Sequence, residues 1–344
     1  MRLGVMLGYF GAGTTAAEQL GLATEAERLG YDSAWVAEAY GSDAATVLAW
    51  LAAQTSTIGL GSGVFQIPAR SPAMAAMTAA TLDQLSGGRF RLGLGLSGPQ
   101  VAEGWHGQRF GRPLARTRDY LSVVRMALER RRVAYQGETL ELPLPDGPGK
   151  ALKLTITPAQ PRLPIYLGAM GPRNLALAGE LADGWLGFLF APEHAGSFRD
   201  HLATGAARAG RDLDGFDVAP NVQVHIADDL AAARDVMRPF LALYIGGMGS
   251  RERNFYTEQA ARYGFEQAAH TVQDHYLAGD RAQAMAALPD ELIDLVTLCG
   301  PADRVRERLA AHREAGVGTL IAAPAAWTHT ERVTQLRRLA DLAA

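Results

Sequence analysis

Four short stretches carry the residue types that could do chemistry. The first is Leu167-Gly-Ala-Met-Gly-Pro-Arg-Asn174, at the end of an apolar run at residues 164–169. Small residues let a ligand approach the backbone. Proline at a first helical position then opens a helix whose leading N–H groups have no partner inside it. Such an end suits a phosphate, and the same residues also make an ordinary tight turn. The second stretch is Gly61-Ser-Gly-Val-Phe65. Alternating glycines in a strand point to a bulge, a flat ligand close by, or a packing need. The third is Trp35-Val-Ala-Glu38, which sets a carboxylate at a strand end. Glu38 could move protons or pair with an arginine. The fourth is Tyr9-Phe10, two aromatics that could pack on a ring.

Other signals mislead or are missing. Gly93, Gly95 and Gly98 spell the dinucleotide fingerprint G-x-G-x-x-G. That motif needs its glycines in a turn that opens a helix. Here the first two fall inside a predicted strand, 89–95, and Pro99 leads into a loop. Asp119, at the spacing of a ribose-binding acid, falls within a helix. There is no H-E-x-x-H, no nucleophile elbow, no Walker loop and no metal-ligand spacing among the eight histidines. The lone Cys299 cannot form an internal disulfide and reads as a buried apolar residue. Arg112, Arg116, Arg125, Arg130, Arg131 and Arg132 read as the solvated face and basic end of a helix, not as a nucleic-acid site.

These positions need a scaffold, and the pattern of elements supplies one. Strands are predicted at 3–10, 33–38, 57–67, 89–95, 164–169, 184–190, 216–227 and 318–323, alternating with helices. Ser86-Gly-Gly88 ends the third helix. Residues 136–163 form a Pro/Gly-rich excursion, expected to be a hairpin of ETLELPLP with ALKLTIT, and 246–290 an inserted, mostly helical region. The alternation predicts a parallel sheet, closed as a (β/α)8 TIM barrel within a single domain, 1–344, with the insertion before strand eight. An open doubly wound sheet is the alternative. The 344 residues, 48% hydrophobic, suit one large core, and a net charge of −3 gives no field for nucleic acid or an anionic membrane. No apolar run reaches the length of a membrane span. The N-terminus reads as a strand rather than a signal peptide, so a cytoplasmic protein is expected.

Several motifs resemble one family. Arg70-Ser-Pro, Leu82-Asp-Gln-Leu-Ser-Gly-Gly-Arg-Phe90, Leu92-Gly-Leu-Gly-Leu-Ser-Gly-Pro-Gln100 and Glu103-Gly-Trp-His-Gly107 are similar to bacterial luciferase-like proteins. The likeness is greatest to the coenzyme F420-dependent oxidoreductases of actinobacteria. Gly168-Ala-Met-Gly-Pro172, Ala182-Asp-Gly-Trp185 and Leu243-Tyr-Ile-Gly-Gly-Met248 extend it. The resemblance implies a deazaflavin across the carboxyl ends of the strands. It implies a cis Gly63–Val64 bulge behind the ring, Ser97 and Gly98 lining the cofactor, and Ala169, Met170 and Gly171 in the phosphate loop. It puts Glu38 at an acidic position of the site. Some relatives have a histidine after that acid, where this chain has Ala39. It also implies hydride transfer, in either direction, between the deazaflavin and an organic substrate, and a homo-oligomer, a dimer. Tyr9, Phe10, Phe65, Trp105, Tyr244 and Met248 are expected to build an apolar rim, and the insertion is an expected dimer surface. FMN with oxygen, or a non-catalytic cofactor carrier, are the alternatives.

Overall fold

The computed structural model describes residues 1–9 and 14–344. β1 (Arg2–Gly8) leads to α1 (Ala16–Arg28), which opens on a capping box between Thr15 and Glu18. β2 (Ser33–Val36) leads to α2 (Ala44–Gln54), capped by Asp43. β3 (Gly59–Ser62), a cis Gly63–Val64 peptide and β4 (Phe65–Gln66) precede α3 (Pro72–Leu85), capped by Ser71. Gly87 and Gly88 then take φ of 66° and 84°, the left-handed turn glycine allows. β5 (Phe90–Gly95), α4 (Pro99–Gly104) and α5 (Pro113–Leu128) follow. A hairpin of β6 (Tyr135–Gln136) and β7 (Glu141–Leu142) comes before β8 (Ile165–Gly168) and α6 (Pro172–Leu181). Next are β9 (Gly184–Leu186), α7 (Ala195–Arg208), β10 (Asp217–Val218), β11 (Asn221–Ile226) and α8 (Leu230–Ala242). A π-helical turn (Leu243–Gly247), α9 (Phe255–Ala260), a second π-helical turn (Ala261–Phe265), α10 (Glu266–Leu277), α11 (Arg281–Ala286) and α12 (Asp290–Val296) fill the inserted region and its flanks. β12 (Thr297–Gly300), α13 (Ala302–Glu314), β13 (Thr319–Pro324) and α14 (His329–Ala343) follow.

The main sheet is parallel and runs β10-β9-β8-β5-β3-β2-β1-β13-β11-β12, with β4 beside β5. It curls in the manner of a TIM barrel with helices outside it. An isolated parallel bridge also joins Phe188, just past β9, to Asn221 at the start of β11. Two cores result. The larger lies between sheet and helices, where α1, α2, α3 and α5 bury alanine- and leucine-rich faces. The smaller holds Trp35, Tyr166, Ala219 and Ile321, packed with Met6 and Leu186. Trp35 meets Tyr166 edge-on at 5.2 Å. Beneath them Asp217 accepts hydrogen bonds from Arg2, Tyr166 and Thr319 at 2.8–2.9 Å. This fills the space within the curled sheet and leaves the carboxyl ends of the strands free for a site.

Some expectations need correction. Eight strands were predicted, and the sheet contains eleven segments. Strand three breaks at the Gly63–Val64 bulge. Strand seven breaks at Ala219-Pro220, where proline has no N–H to give to a ladder. β12 was missed, because its four residues, TLCG, are too short for periodicity to register. The expected loop after Gly98 contains the short α4. The hairpin pairs Tyr135–Gln136 with Glu141–Leu142, and ALKLTIT forms no strand. α5 stops at Leu128, and Arg130 beyond it has a left-handed φ of 56°. The three terminal arginines therefore lie past the helix. Gly93 and Gly95 do fall in β5 and Asp119 in α5, which removes the dinucleotide fingerprint.

Candidate functional site

A cavity of about 920 Å3 opens at the carboxyl ends of the strands. Glu38, Gly63, Val64, Ser97, Gly98, Ala169 and Met170 line it together, from loops after four different strands. Gly171 is not in the lining; it caps α6 with φ 75°. Among the expected rim residues, Tyr9, Tyr244 and Met248 line the cavity. Phe65 does not: it is fully buried, and the Arg70 guanidinium sits 4.4 Å from its ring centre. Trp105 is 66% exposed and also outside the lining. Phe10 lies outside the described residues.

One wall is made of small groups around Val64. A Cβ on Gly95 would come within 2.6 Å of Val64 Cγ2, and one on Gly168 within 3.2 Å of Cγ1. These two glycines therefore make room for the bulge, so that a valine face and bare backbone border the cavity. Gly61 has a different reason. Its Cβ would fall 2.2 Å from the Trp35 ring, so its absence serves packing and not a ligand.

A second wall is suited to an anion. The Ala169 carbonyl accepts from Trp185 Nε1 at 2.8 Å, which anchors the loop after β8. Pro172 occupies the first turn of α6, and the first bond back along the helix is Leu175 N to Gly171 O. The N–H groups of Arg173 and Asn174 thus have no partner within the helix, and they carry its positive dipole end. The Oδ1 atom of Asn174 is buried without a partner, and Asn174 lines the cavity. Arg262 reaches to 3.8 Å from where a Gly171 Cβ would stand. The N–H groups of Arg173 and Asn174, with Arg262 nearby, are the donors, and they fit a ribityl phosphate of either a deazaflavin or FMN.

Glu38 lines the cavity but is already engaged. Both of its oxygens bond to Arg70, the second at 2.9 Å, and they also accept from Gln66 N at 3.0 Å and Ala44 N at 3.4 Å. Burial works against the Arg70 charge, yet its bonds to Glu38 and the nearby Asp43 hold its pKa above the usual value. Gln66 donates back to the Glu38 carbonyl at 3.0 Å and meets His106 Nε2 at 2.7 Å. Of the two readings of Glu38, the arginine pair is therefore present.

The remaining wall is aromatic, and the sequence reading underestimated it. Phe188, Phe240, Tyr244 and Tyr256 all line the cavity, with ring centres 4.5–5.8 Å apart in five of their pairs. Asn221 and Gln223 of β11 also line it, and Asn221 Oδ1 is buried without a partner. Their signal was available: NVQVHI alternates polar and apolar at period two. Among the described residues no group of His, Cys, Asp and Glu is placed to hold a metal. Among the described residues no helix is long and apolar enough to cross a membrane.

Known proteins resemble this chain closely. A protein of Mycobacterium tuberculosis, named as a coenzyme F420-dependent oxidoreductase, is 45% identical over 93% of this chain and 94% of its own. The 5,10-methylenetetrahydromethanopterin reductase of Archaeoglobus fulgidus is 31% identical, covering 86% of each. The structure of a coenzyme F420-dependent tetrahydromethanopterin reductase from Methanopyrus kandleri superposes with a TM-score of 0.82 at 25% identity, covering 98% of this chain and 97% of the other. These are enzymes, which weighs against the reading of a non-catalytic carrier. The profile of one family matches residues 1–319, so the chain belongs to the luciferase-like monooxygenase family.

Proposed function

We propose that the protein is an oxidoreductase moving a hydride between coenzyme F420 and an organic substrate. One observation carries the reading: a single cavity joins a Val64-faced flat wall to the phosphate-seeking start of α6. The F420-dependent names of relatives support the choice of cofactor. A deazaflavin has carbon where a flavin has N5, so when bound it supplies hydride and activates oxygen poorly. Gly63, Val64, Ser97 and Gly98 would border its ring. Ala169, Met170 and Gly171, with the N–H groups of Arg173 and Asn174, would hold its phosphate. The aromatic wall keeps water from the reacting atoms.

Glu38 belongs to this site as a positioning residue. Its oxygens are bonded to Arg70 and to backbone N–H groups, so it fixes Gln66 and the strand-two loop rather than carrying a proton. The whole chain works as a single domain, its sheet closed as a (β/α)8 barrel, with 246–290 as an insertion folded over the cavity.

The test is a titration of the apo-protein, following quenching of its five tryptophans. Oxidised F420 should bind at micromolar or lower concentration, with FMN at least tenfold weaker, a difference of about 1.4 kcal/mol. Tight FMN binding with no response to F420 would replace this reading with oxygen-dependent flavin chemistry.

A further inference from the structure

Tyr9, Tyr40, Tyr244 and Tyr256 line the cavity with no hydroxyl partner among the described residues, and Tyr244 and Tyr256 are the two packed into its aromatic wall. These two rings lie 5.0 Å apart and nearly perpendicular, at 87°. Tyr31, Tyr120, Tyr166 and Tyr263 each donate from the hydroxyl to a carbonyl or carboxylate at 2.6–3.1 Å. Among the described residues, the hydroxyls of Tyr244 and Tyr256 have no such acceptor. A tyrosine set into a packed wall normally finds one.

The fold holds this pair rigidly. Tyr244 sits on the π-helical turn after α8, a distortion that often marks function. The side-chain amide of Asn254, which is 3% exposed, donates to the carbonyls of Tyr244 at 3.2 Å and Ile245 at 2.8 Å. Its oxygen accepts from Tyr256 N at 2.9 Å. One buried side chain thus ties both phenols to a common frame. Thr257 adds a bond to the Ile245 carbonyl at 2.6 Å. Gly246 and Gly247 allow Tyr276 to pack directly on the turn, since a Cβ on Gly247 would fall 2.1 Å from its ring.

The electrostatics are those of neutral donors. Burial pushes Tyr256 up to about 12. Burial likewise raises Tyr244, with Tyr256, Tyr9 and Tyr40 opposing its ionisation. Both stay protonated at neutral pH. The charged side chains in the lining are Glu38, engaged by Arg70, and Arg332, bonded to Thr14 and the Ala326 carbonyl. A carboxylate brought to the phenols would lose hydration, and the one cation of the lining, Arg332, is already held by Thr14 and the Ala326 carbonyl. Phe188 and Phe240 lie 4.6 and 4.5 Å from Tyr244 and offer flat apolar faces beside the donors.

We propose that Tyr244 and Tyr256 are the specificity-determining pair of this cavity, donating hydrogen bonds to the carbonyl oxygen of a flat, uncharged, conjugated ketone that lies against Phe188 and Phe240. That this ketone is a hydride acceptor rests on the F420 reading. The binding preference itself needs no cofactor.

The test is equilibrium dialysis of the full-length protein, with and without saturating oxidised F420. Three probes of one shape are used: 2-acetonaphthone, 2-ethylnaphthalene and 2-naphthoate. The wild type should prefer the ketone to the hydrocarbon by about tenfold, the worth of a net hydrogen bond or two, and bind the carboxylate weakest. Tyr244→Phe and Tyr256→Phe should each reduce the ketone preference, and the double variant should abolish it with hydrocarbon binding unchanged. Unchanged hydrocarbon binding also reports an intact cavity, and the single variants decide if the double one does not fold. A ketone preference that survives both substitutions, an equal affinity for ketone and hydrocarbon in the wild type, or a preference for naphthoate overturns the proposal. Failure of F420 to bind would sink the cofactor reading alone, because the cofactor-free arm still decides the role of the phenols.

Discussion

At the scale of single residues, the site turns on which polar atoms are already satisfied. Glu38 and Tyr244 border one cavity and differ in this respect. The carboxylate is bonded twice to Arg70, while the phenol has no hydrogen-bond partner among the described residues. Glu38→Gln should cost about 3 kcal/mol of stability, the lower end for breaking a buried pair, because Asp43 still faces Arg70. Denaturant midpoints would measure this. A large loss of turnover with unchanged stability would instead mean that Glu38 handles a proton. The acid's position was legible from WVAE, but its partner was not, since Arg70 lies 32 residues away and many arginines were available. Phe65 shows the same limit. An aromatic beside a glycine-rich bulge reads as rim, yet strand alternation turned it into the core.

At the scale of elements, the start of α6 does the most. It was readable because Gly171-Pro172 sets both the turn and the first helical residue, and these are local effects. The aromatic wall was not readable in the same way. It is assembled from the strand-six loop, α8, the π-helical turn and α9, and only the chain path brings them together. The anion role of α6 gives a prediction in which two effects of one substitution have opposite signs. Asn174→Asp adds a carboxylate to the first turn of α6, where the dipole favours it by about 0.3–1 kcal/mol. The same charge would repel a phosphate at that end. The melting temperature should hold or rise while F420 affinity falls at least tenfold, read by thermal unfolding and by titration of the same variant. Loss of stability with unchanged affinity would move the phosphate elsewhere.

At the scale of the whole molecule, the strand–helix alternation was visible because each βα unit has its own caps and apolar face. The exact strand count was not, because β12 and the break at Pro220 depend on which neighbour each segment pairs with. The exposed apolar surface also departs from expectation. Met74, Met77 and Leu85 are 50–57% exposed and share the outer face of α3, whereas the insertion exposes less. As a contact face for the expected homodimer, α3 therefore offers more exposed apolar surface than the insertion. Sedimentation velocity should find a dimer that Met74→Glu with Met77→Glu dissociates, and a monomeric wild type at micromolar concentration would refute it. The most direct measurement for the molecule as a whole is a crystal structure with oxidised F420. The expected density has the ring against Val64 between the loops of Ser97 and Ala169, and the phosphate on the N–H groups of Arg173 and Asn174. A cofactor bound elsewhere, or its phosphate away from α6, would contradict the assignment of this cavity.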